Sequence, residues 1–470
     1  MNAPLCGTIS GSILNLHLTD VNIEVTDIKA EYGVLAGRID GNDAVVNNCS
    51  ASGKMKVNLA MTAAITGNGS NKDIDIAGLI GYTTSTREFT NLTNEVDVEI
   101  AGTYKNNIVA TGLITVGASC SLSNSKNLGK ITYTATSNSN VFIGGLVHEC
   151  KSVTDCVNGS AKDATFSKGA ITIDGTTKNA YASGFTPSGR SDITLTRCHN
   201  YGAITYTENA VTGGTTLPAG AVGYYSPSSA ALVLDACANH APISVNNSTI
   251  GGDLKVGGLV SHYGGSNLLT IRNGYTNTGD FNISPKSVAA GKSVQVGGMV
   301  GNFSATWTTD STGGVYNSGN ITYSGASSST STVRVAGITA AMAKDIPAIE
   351  GFEIINTGNI TSTGTGKAVY VGGILGAGKL VNGAKCHCKI YATSGTTIGW
   401  IMPAARTSTL KATNCQIGGN TVEIDDADES EMLSPITADN FHNYIYSAAI
   451  DKSTAESDGC SFLSEKPTIQ

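Results

Sequence analysis

The sequence predicts an all-β protein: a right-handed parallel β-helix of about eleven coils closed by a short C-terminal cap. Three observations predict it. A glycine cassette recurs along the chain roughly every 36 residues. A second cassette, built on asparagine, follows the first at a regular distance. Up to about residue 436 the apolar residues alternate with period two wherever they are periodic, and no stretch keeps a helical period.

The first cassette is apolar-Gly-Gly-apolar-apolar. It reads Ile143-Gly144-Gly145-Leu146-Val147, Val256-Gly257-Gly258-Leu259-Val260, Val296-Gly297-Gly298-Met299-Val300 and Val371-Gly372-Gly373-Ile374-Leu375. Looser copies put Gly78, Gly112, Gly184 and Gly337 in the same frame, with Gly37, Gly220 and Gly399 as further register marks. Chemistry that repeats at one slot in every unit is the signature of a solenoid or a propeller.

The second cassette is Asn-x-Gly-x-apolar and begins at Asn127, Asn200, Asn277, Asn317 and Asn356; Asn239 keeps the frame without the glycine. Asn and Gly tolerate positive φ, so the cassette predicts a tight corner between short strands. The residues after it alternate, as in Ile131-Thr132-Tyr133-Thr134 and Ile204-Thr205-Tyr206-Thr207, with apolar side chains on one face and hydroxyls on the other. A propeller blade needs four antiparallel strands with hairpin signals. This unit has room for about three strands and Gly-rich corners, which favours stacked parallel coils. At roughly 4.8 Å per coil they would form a rod about 50 Å long. Stacked asparagines would hydrogen-bond along the axis as a ladder.

The β-helix is expected over residues 1–422, and an acidic linker with a capping segment over 423–470. Residues Thr437 to Tyr446 read as a short helix, and Phe441, Tyr444, Ile445, Phe462 and Leu463 as a lid over the last coil's open strand edge. Gly7 to Ile13 already reads as solenoid, so a longer parent chain is expected to carry any export signal.

Charged residues are only 14% of the chain and net charge is −7, with Lys and Arg scattered. That balance argues against a nucleic-acid groove, and no apolar run is long enough for a membrane-spanning helix. Eleven cysteines invite a metal reading, above all Cys386-His387-Cys388. Aligned by cassette, however, Cys49, Cys156, Cys198, Cys237, Cys386 and Cys415 fall two residues before the asparagine slot, where other coils carry Tyr275, Val315 and Ile354. Cysteine exchanging with Val, Ile and Tyr behaves as a small core hydrophobe. Cys120 and Cys150 lie off that column in adjacent coils and are the pair placed to bond. His199 and His240 fall in neighbouring coils with no third ligand implied. No cofactor and no metal site is expected.

The glycine and asparagine cassettes together, with GTISGSILNLHLTDVNI ahead of AGRIDG and NNCSASG, resemble the GLUG-repeat family of bacterial cell-surface proteins. The likeness runs over residues 1–422. It implies a secreted or surface-anchored protein and offers no catalytic residues to carry over. The function expected is a non-catalytic rod for adhesion or spacing, its partner a host or microbial glycan or surface protein. One alternative is a polysaccharide lyase or hydrolase, which needs clustered carboxylates; Asp75, Asp97, Asp174, Asp235 and Asp280 fall in different frames. A remoter one is a hydroxyl grid (Thr132, Thr172, Thr205, Ser244, Asn282, Thr322, Thr361) resembling ice-binding solenoids. Loops at Val211 to Pro218 and Tyr224 to Ser229 are where specificity is expected, with Tyr224, Tyr225, Tyr263 and Trp307 as rings either to stack on sugars or to pack against the solenoid wall.

Overall fold

In the computed structural model the described residues are all but 1–4, 66–72, 190, 208–209, 227–230, 265–268, 306, 309, 346–348, 394, 426–434 and 470. The chain divides into two compact units, one of residues 1–225 with 237–251, the other of 226–236 with 252–470. Each is a parallel β-helix. Among the described residues every strand pairing within a unit is parallel, and each strand pairs with its counterpart one coil on. In the first unit Asn140–Gly144 pairs with Asn179–Ser183, and Ile171–Ile173 pairs with Ile204–Thr207. In the second, Ser293–Gly297 pairs with Thr332–Ala336, and Ile321–Tyr323 with Ile360–Ser362.

The period-two alternation sets which residues meet. Ile171, Ile173, Ile204 and Tyr206 are all fully buried, while Thr172 and Thr205 between them face outward in register. Each inward Val, Ile or Leu contributes about 1.5–3 kcal/mol by leaving water. The core is therefore a set of like side chains stacked coil upon coil. Tyr225, Tyr263 and Trp307 belong to it, at 0, 0 and 2% exposure, and are not available to stack on sugars.

The corner lies elsewhere than the cassette predicts. Asn127, Asn200, Asn277, Asn317 and Asn356 do not adopt positive φ. In the first unit a left-handed residue recurs three positions before the ladder slot, at Asn48, Asn91, Asn124, Asp155 and Arg197, with φ from 46 to 56°. Three of these five are Asn, the non-glycine residue that pays least for that conformation.

The hydroxyl grid is real but bounded. Thr132, Thr172, Thr205 and Ser244 stand in one column of the first unit, and Asn282, Thr322 and Thr361 in one column of the second. The first column continues into the charged residues Glu99, Lys56 and Glu24, and the second into Tyr391.

Residues 435–469 close the second unit. Only Phe441–Asn443 form a helical turn, of 3₁₀ type, within the segment expected to be helical; the α-helix is Lys452–Ser457. Phe441, Ile445 and Tyr446 are buried. Trp400 and Ile401 donate backbone hydrogen bonds to the carbonyls of Tyr444 and Ile445 at 2.8 and 3.1 Å. Ser461–Phe462 adds a last parallel strand along Gln416–Asp425. The open edge of the last coil is thus covered by backbone pairing as well as by apolar side chains. Most of the acidic stretch from Glu423 to Glu431 lies outside the described residues.

Candidate functional site

The glycine and asparagine columns meet inside each coil. A Cβ at Gly78 would overlap the side chain of Asn94 and the carbonyl of Gly112 in the next coil. Gly112 is set the same way against Asn127 and Gly145, Gly145 against Asn158 and Gly184, and Gly184 against Asn200 and Gly220. In the second unit Gly258 faces Asn277, Gly298 faces Asn317, and Gly337 faces Asn356. None of these glycines has positive φ. They are required by close approach: the asparagine side chain occupies the space a Cβ would fill.

The asparagines form a continuous ladder in each unit. Amide nitrogens donate from Asn94 to Asn127 (2.7 Å), Asn127 to Asn158 (2.8 Å), Asn158 to Asn200 (2.8 Å) and Asn200 to Asn239 (2.7 Å). In the second unit Asn277 donates to Asn317 and Asn317 to Asn356, both at 2.8 Å. The second amide hydrogen goes to a nearby carbonyl, as from Asn200 to Gly202 (3.2 Å) and from Asn317 to Gly319 (3.1 Å). All eight side chains are fully buried, so the ladder satisfies polar groups that would be costly to leave unpaired.

Register corrects three assignments. Gly37 pairs into the column of Gly81, so Val34 stands in the glycine slot of the first coil, and Ala51 stands opposite Asn94. Gly399 is level with Gly372, which leaves Trp400 in the last slot. Cys386 is level with Asn356 and Ala384 with Ile354, so Cys386 ends the asparagine ladder and does not share the column of the other five cysteines. At the first coil glycine and asparagine are lost together, as Val34 and Ala51; at the far end Gly373 keeps the glycine slot against the Cys386 sulfur, and Trp400 takes that slot one coil later.

Cys49, Cys156, Cys198, Cys237 and Cys415 are buried free thiols. Their sulfurs approach backbone carbonyls, Cys156 that of Thr154 at 3.2 Å and Cys198 that of Val153 at 3.4 Å. Burial pushes the Cys156 thiol up to about 12. Cys120 and Cys150 sit with sulfurs 3.5 Å apart. Among the described residues no three His, Cys, Asp or Glu side chains are grouped to hold a metal ion, and no helix is long and apolar enough to cross a membrane.

The carboxylates of the enzyme alternative are dispersed. Asp97 accepts from the Lys130 amide at 2.9 Å, Asp235 from Asn273 at 2.7 Å, and Asp280 from the Asn320 amide at 2.8 Å. Asp75 is level with Glu31 across paired strands, and Arg38 bonds Glu31 at 3.2 Å and Asp40 at 2.7 Å. Asp75 itself is 2% exposed, with one carboxyl oxygen unpartnered. Burial, then the charges of Asp73 and Glu31, push its carboxyl well above the usual range.

The most distinctive exposed feature arises where one coil breaks the repeat. Asn127 is followed by its strand residue Ile131 four positions on, and Asn200 by Ile204 likewise, whereas Asn158 reaches Ile171 only after thirteen. The nine extra residues are 160–168. Gly159 keeps the position equivalent to Leu128 and Tyr201, and Gly169, whose carbonyl abuts Gly202, resumes the coil. Asp163 folds the insertion on itself. Its carboxylate accepts from the Thr165 amide (3.1 Å) and hydroxyl (2.6 Å), the Ser167 hydroxyl (3.0 Å) and the Lys168 amide (2.7 Å). Those bonds, the Thr165 hydroxyl first, hold its carboxyl far below the usual range. Phe166 is held at φ 54°, strain of about 1–3 kcal/mol for a bulky residue that survives only in an over-determined loop.

The insertion walls a shallow cleft of about 600 Å³ over the outward faces of Lys126, Leu128, Asp155 and Val157. Rings back the opposite wall. His199, Tyr201 and His240 are near parallel; Tyr201 lies on His240 at 4.6 Å between centroids and 12°. His199 Nδ1 and His240 Nε2 face each other at 3.3 Å, one donating and the other accepting. Burial, with His199 adding to it, pushes His240 down to about 4, and burial lowers His199, so both rings are neutral near pH 7. Arg197 bonds both oxygens of Asp155, at 2.6 and 2.7 Å, and its hydrogen bond holds that carboxyl low.

Of the loops expected to carry specificity, Thr216–Ala219 is a buried strand, and residues 227–229 lie outside the described residues. Tyr224 is half-buried and tilted against Tyr181 at 5.9 Å. The cleft was signalled in the sequence by an Asn-Gly pair, Asn158-Gly159, whose strand residue is delayed. No family model, curated protein or solved structure matches this chain.

Proposed function

We propose that this chain is a non-catalytic, surface-exposed solenoid of the GLUG-repeat type that mediates adhesion or recognition, its coils acting as scaffold and spacer. The observation that supports this is the cleft beside residues 160–168. It is an open, pre-folded, ring-backed recess where the repeat is interrupted. Rigid scaffolds that carry function concentrate it in the segments that depart from the repeat. A recess this shallow suits modest affinity per site, raised by multivalency in a surface array.

The test is a binding screen of the full chain against immobilised glycans and extracellular matrix proteins. The expected result is at least one partner whose capture is lost on removal of residues 160–168, with the strand signal in circular dichroism retained. Release of reducing or unsaturated ends from any polysaccharide, abolished by substituting one carboxylate, would overturn the non-catalytic reading.

A further inference from the structure

The cleft also has a notch whose dimensions and charge point to a ligand class. Leu128, Gly159, Tyr201 and His240 succeed one another at the position after the asparagine ladder, one per coil. Gly159, at φ 84°, contributes no side chain, and a Cβ there would run into the backbone of Tyr201. Leu128 and Tyr201 are therefore two strand spacings apart, roughly 9–10 Å, with the level between them empty of side chain. One face of Tyr201 is covered by His240, and the other looks onto this gap. A gap of two spacings leaves room for one saturated six-membered ring in van der Waals contact with the tyrosine.

The surrounding charge is unlike that of the chain as a whole. Net charge is −7 overall, yet the exposed ionic groups at the cleft are Lys126, Lys162 and Arg197 against Asp155. Asp155 is already engaged by Arg197 through two hydrogen bonds. Both Asp163 oxygens are turned into the insertion. Lys126 and Lys162 are thus the cations left to meet a ligand, one on the floor and one on the inserted wall. Nearby Asn124 and Ser160 offer further polar groups.

We infer that this cleft binds an acidic glycan, with one carboxylate-bearing sugar ring stacked on Tyr201 in the notch over Gly159 and its carboxylate met by Lys126 and Lys162. The inference rests on the recognition reading above and adds the ligand class. Charge pairing at an exposed rim acts mainly on encounter and is screened by salt, whereas stacking is not. The two contributions are therefore separable.

The experiment uses the full chain and two probes with one backbone: polygalacturonate and its fully methyl-esterified form. Binding is read by affinity electrophoresis and biolayer interferometry. The acidic chain should bind at least tenfold more tightly than the ester and lose that margin between roughly 0.05 and 0.5 M salt. The double variant Lys126→Gln/Lys162→Gln should abolish the difference between the probes. Tyr201→Ala should weaken both, and Tyr201→Phe should restore them; thermal melts followed by circular dichroism check that each variant is folded. Equal binding of acid and ester, or a double variant that still prefers the acid, overturns the charge assignment while leaving glycan recognition intact. Binding of neither probe by a chain that captures another partner through residues 160–168 overturns the ligand class but not the recognition reading. Tighter binding of single-stranded DNA, lost in the same lysine variant, overturns it in favour of a general polyanion site.

Discussion

The ladder makes a quantitative prediction at Asn317. Its side chain accepts from Asn277 at 2.8 Å and donates to Asn356 at 2.8 Å and to the Gly319 carbonyl at 3.1 Å, with no exposure to water. Asn317→Ala removes all three bonds and leaves the Asn356 oxygen and the Gly319 carbonyl short of a donor inside the coil. At about 1 kcal/mol net per bond, plus the desolvation left uncompensated, the loss is about 3–5 kcal/mol. Urea unfolding followed by circular dichroism measures it. The partner column supplies an internal control. A Cβ at Gly298 would overlap Asn317 and the Gly337 carbonyl, so Gly298→Ala should cost about 1–3 kcal/mol by overpacking. Because one of the two clashes is with Asn317, the double variant should be less destabilised than the sum by more than about 0.5 kcal/mol. A loss under about 1 kcal/mol at Asn317, or strict additivity of the pair, would refute the view that the two columns are one packing unit.

Two other predictions follow from buried ionisable groups. Asp75 has a folded-state pKa raised by burial, so the folded state holds its proton more tightly than the unfolded chain. Its contribution to stability should be greatest below the ordinary carboxylate range and fall as pH rises through the raised pKa; Asp75→Asn should remove that component of the slope and stabilise the protein at pH 7, and a pH-independent gap between the two proteins would be contrary to it. The thiols of Cys49, Cys156, Cys198, Cys237 and Cys415 are buried, with Cys156 pushed up to about 12. They should resist a thiol-specific chromophore at pH 8 in the folded protein and react in denaturant without prior reduction; rapid native reaction, or near-stoichiometric zinc by elemental analysis, would contradict their role as core hydrophobes.

The columns were legible because a stack of parallel coils turns sequence period into spatial neighbourhood. Glycine recurred at Gly145, Gly258 and Gly298 because each faces an asparagine, and the asparagine recurred because each bonds the next. What the period alone did not reveal is that the two columns are a single unit. An asparagine opposite the glycine separates the ladder's marks from Gly37 and Gly399, which belong to other columns, and from Gly373, which keeps the column but faces Cys386. Val34 with Ala51, and Trp400 at the far end, are places where the ladder has no rung to accommodate. Cys386 was misplaced by the same route: its cassette matches, but strand register puts it at the rung after Asn356. The left-handed corner at Asn124, Asp155 and Arg197 was hidden because the residue types differ although the backbone does not.

The candidate site is hidden in the sequence for a different reason. In a solenoid the regular slots are claimed by the core and the ladder, so a residue that fits the repeat is thereby accounted for. Gly159 fits the first half of the asparagine cassette and then departs from it. The nine residues that follow serve neither core nor ladder; they are folded by Asp163 and carry a strained Phe166. The same departure leaves a side-chain gap beside Tyr201, and the ring can be used only because its neighbour along the ladder is glycine. Rings at inward positions of the coil, such as Tyr225 and Tyr263, are spent on the core. Which way a slot of the coil faces, and what stands one coil back, more than residue type, separate the core rings Tyr225 and Tyr263 from Tyr201 in the proposed site.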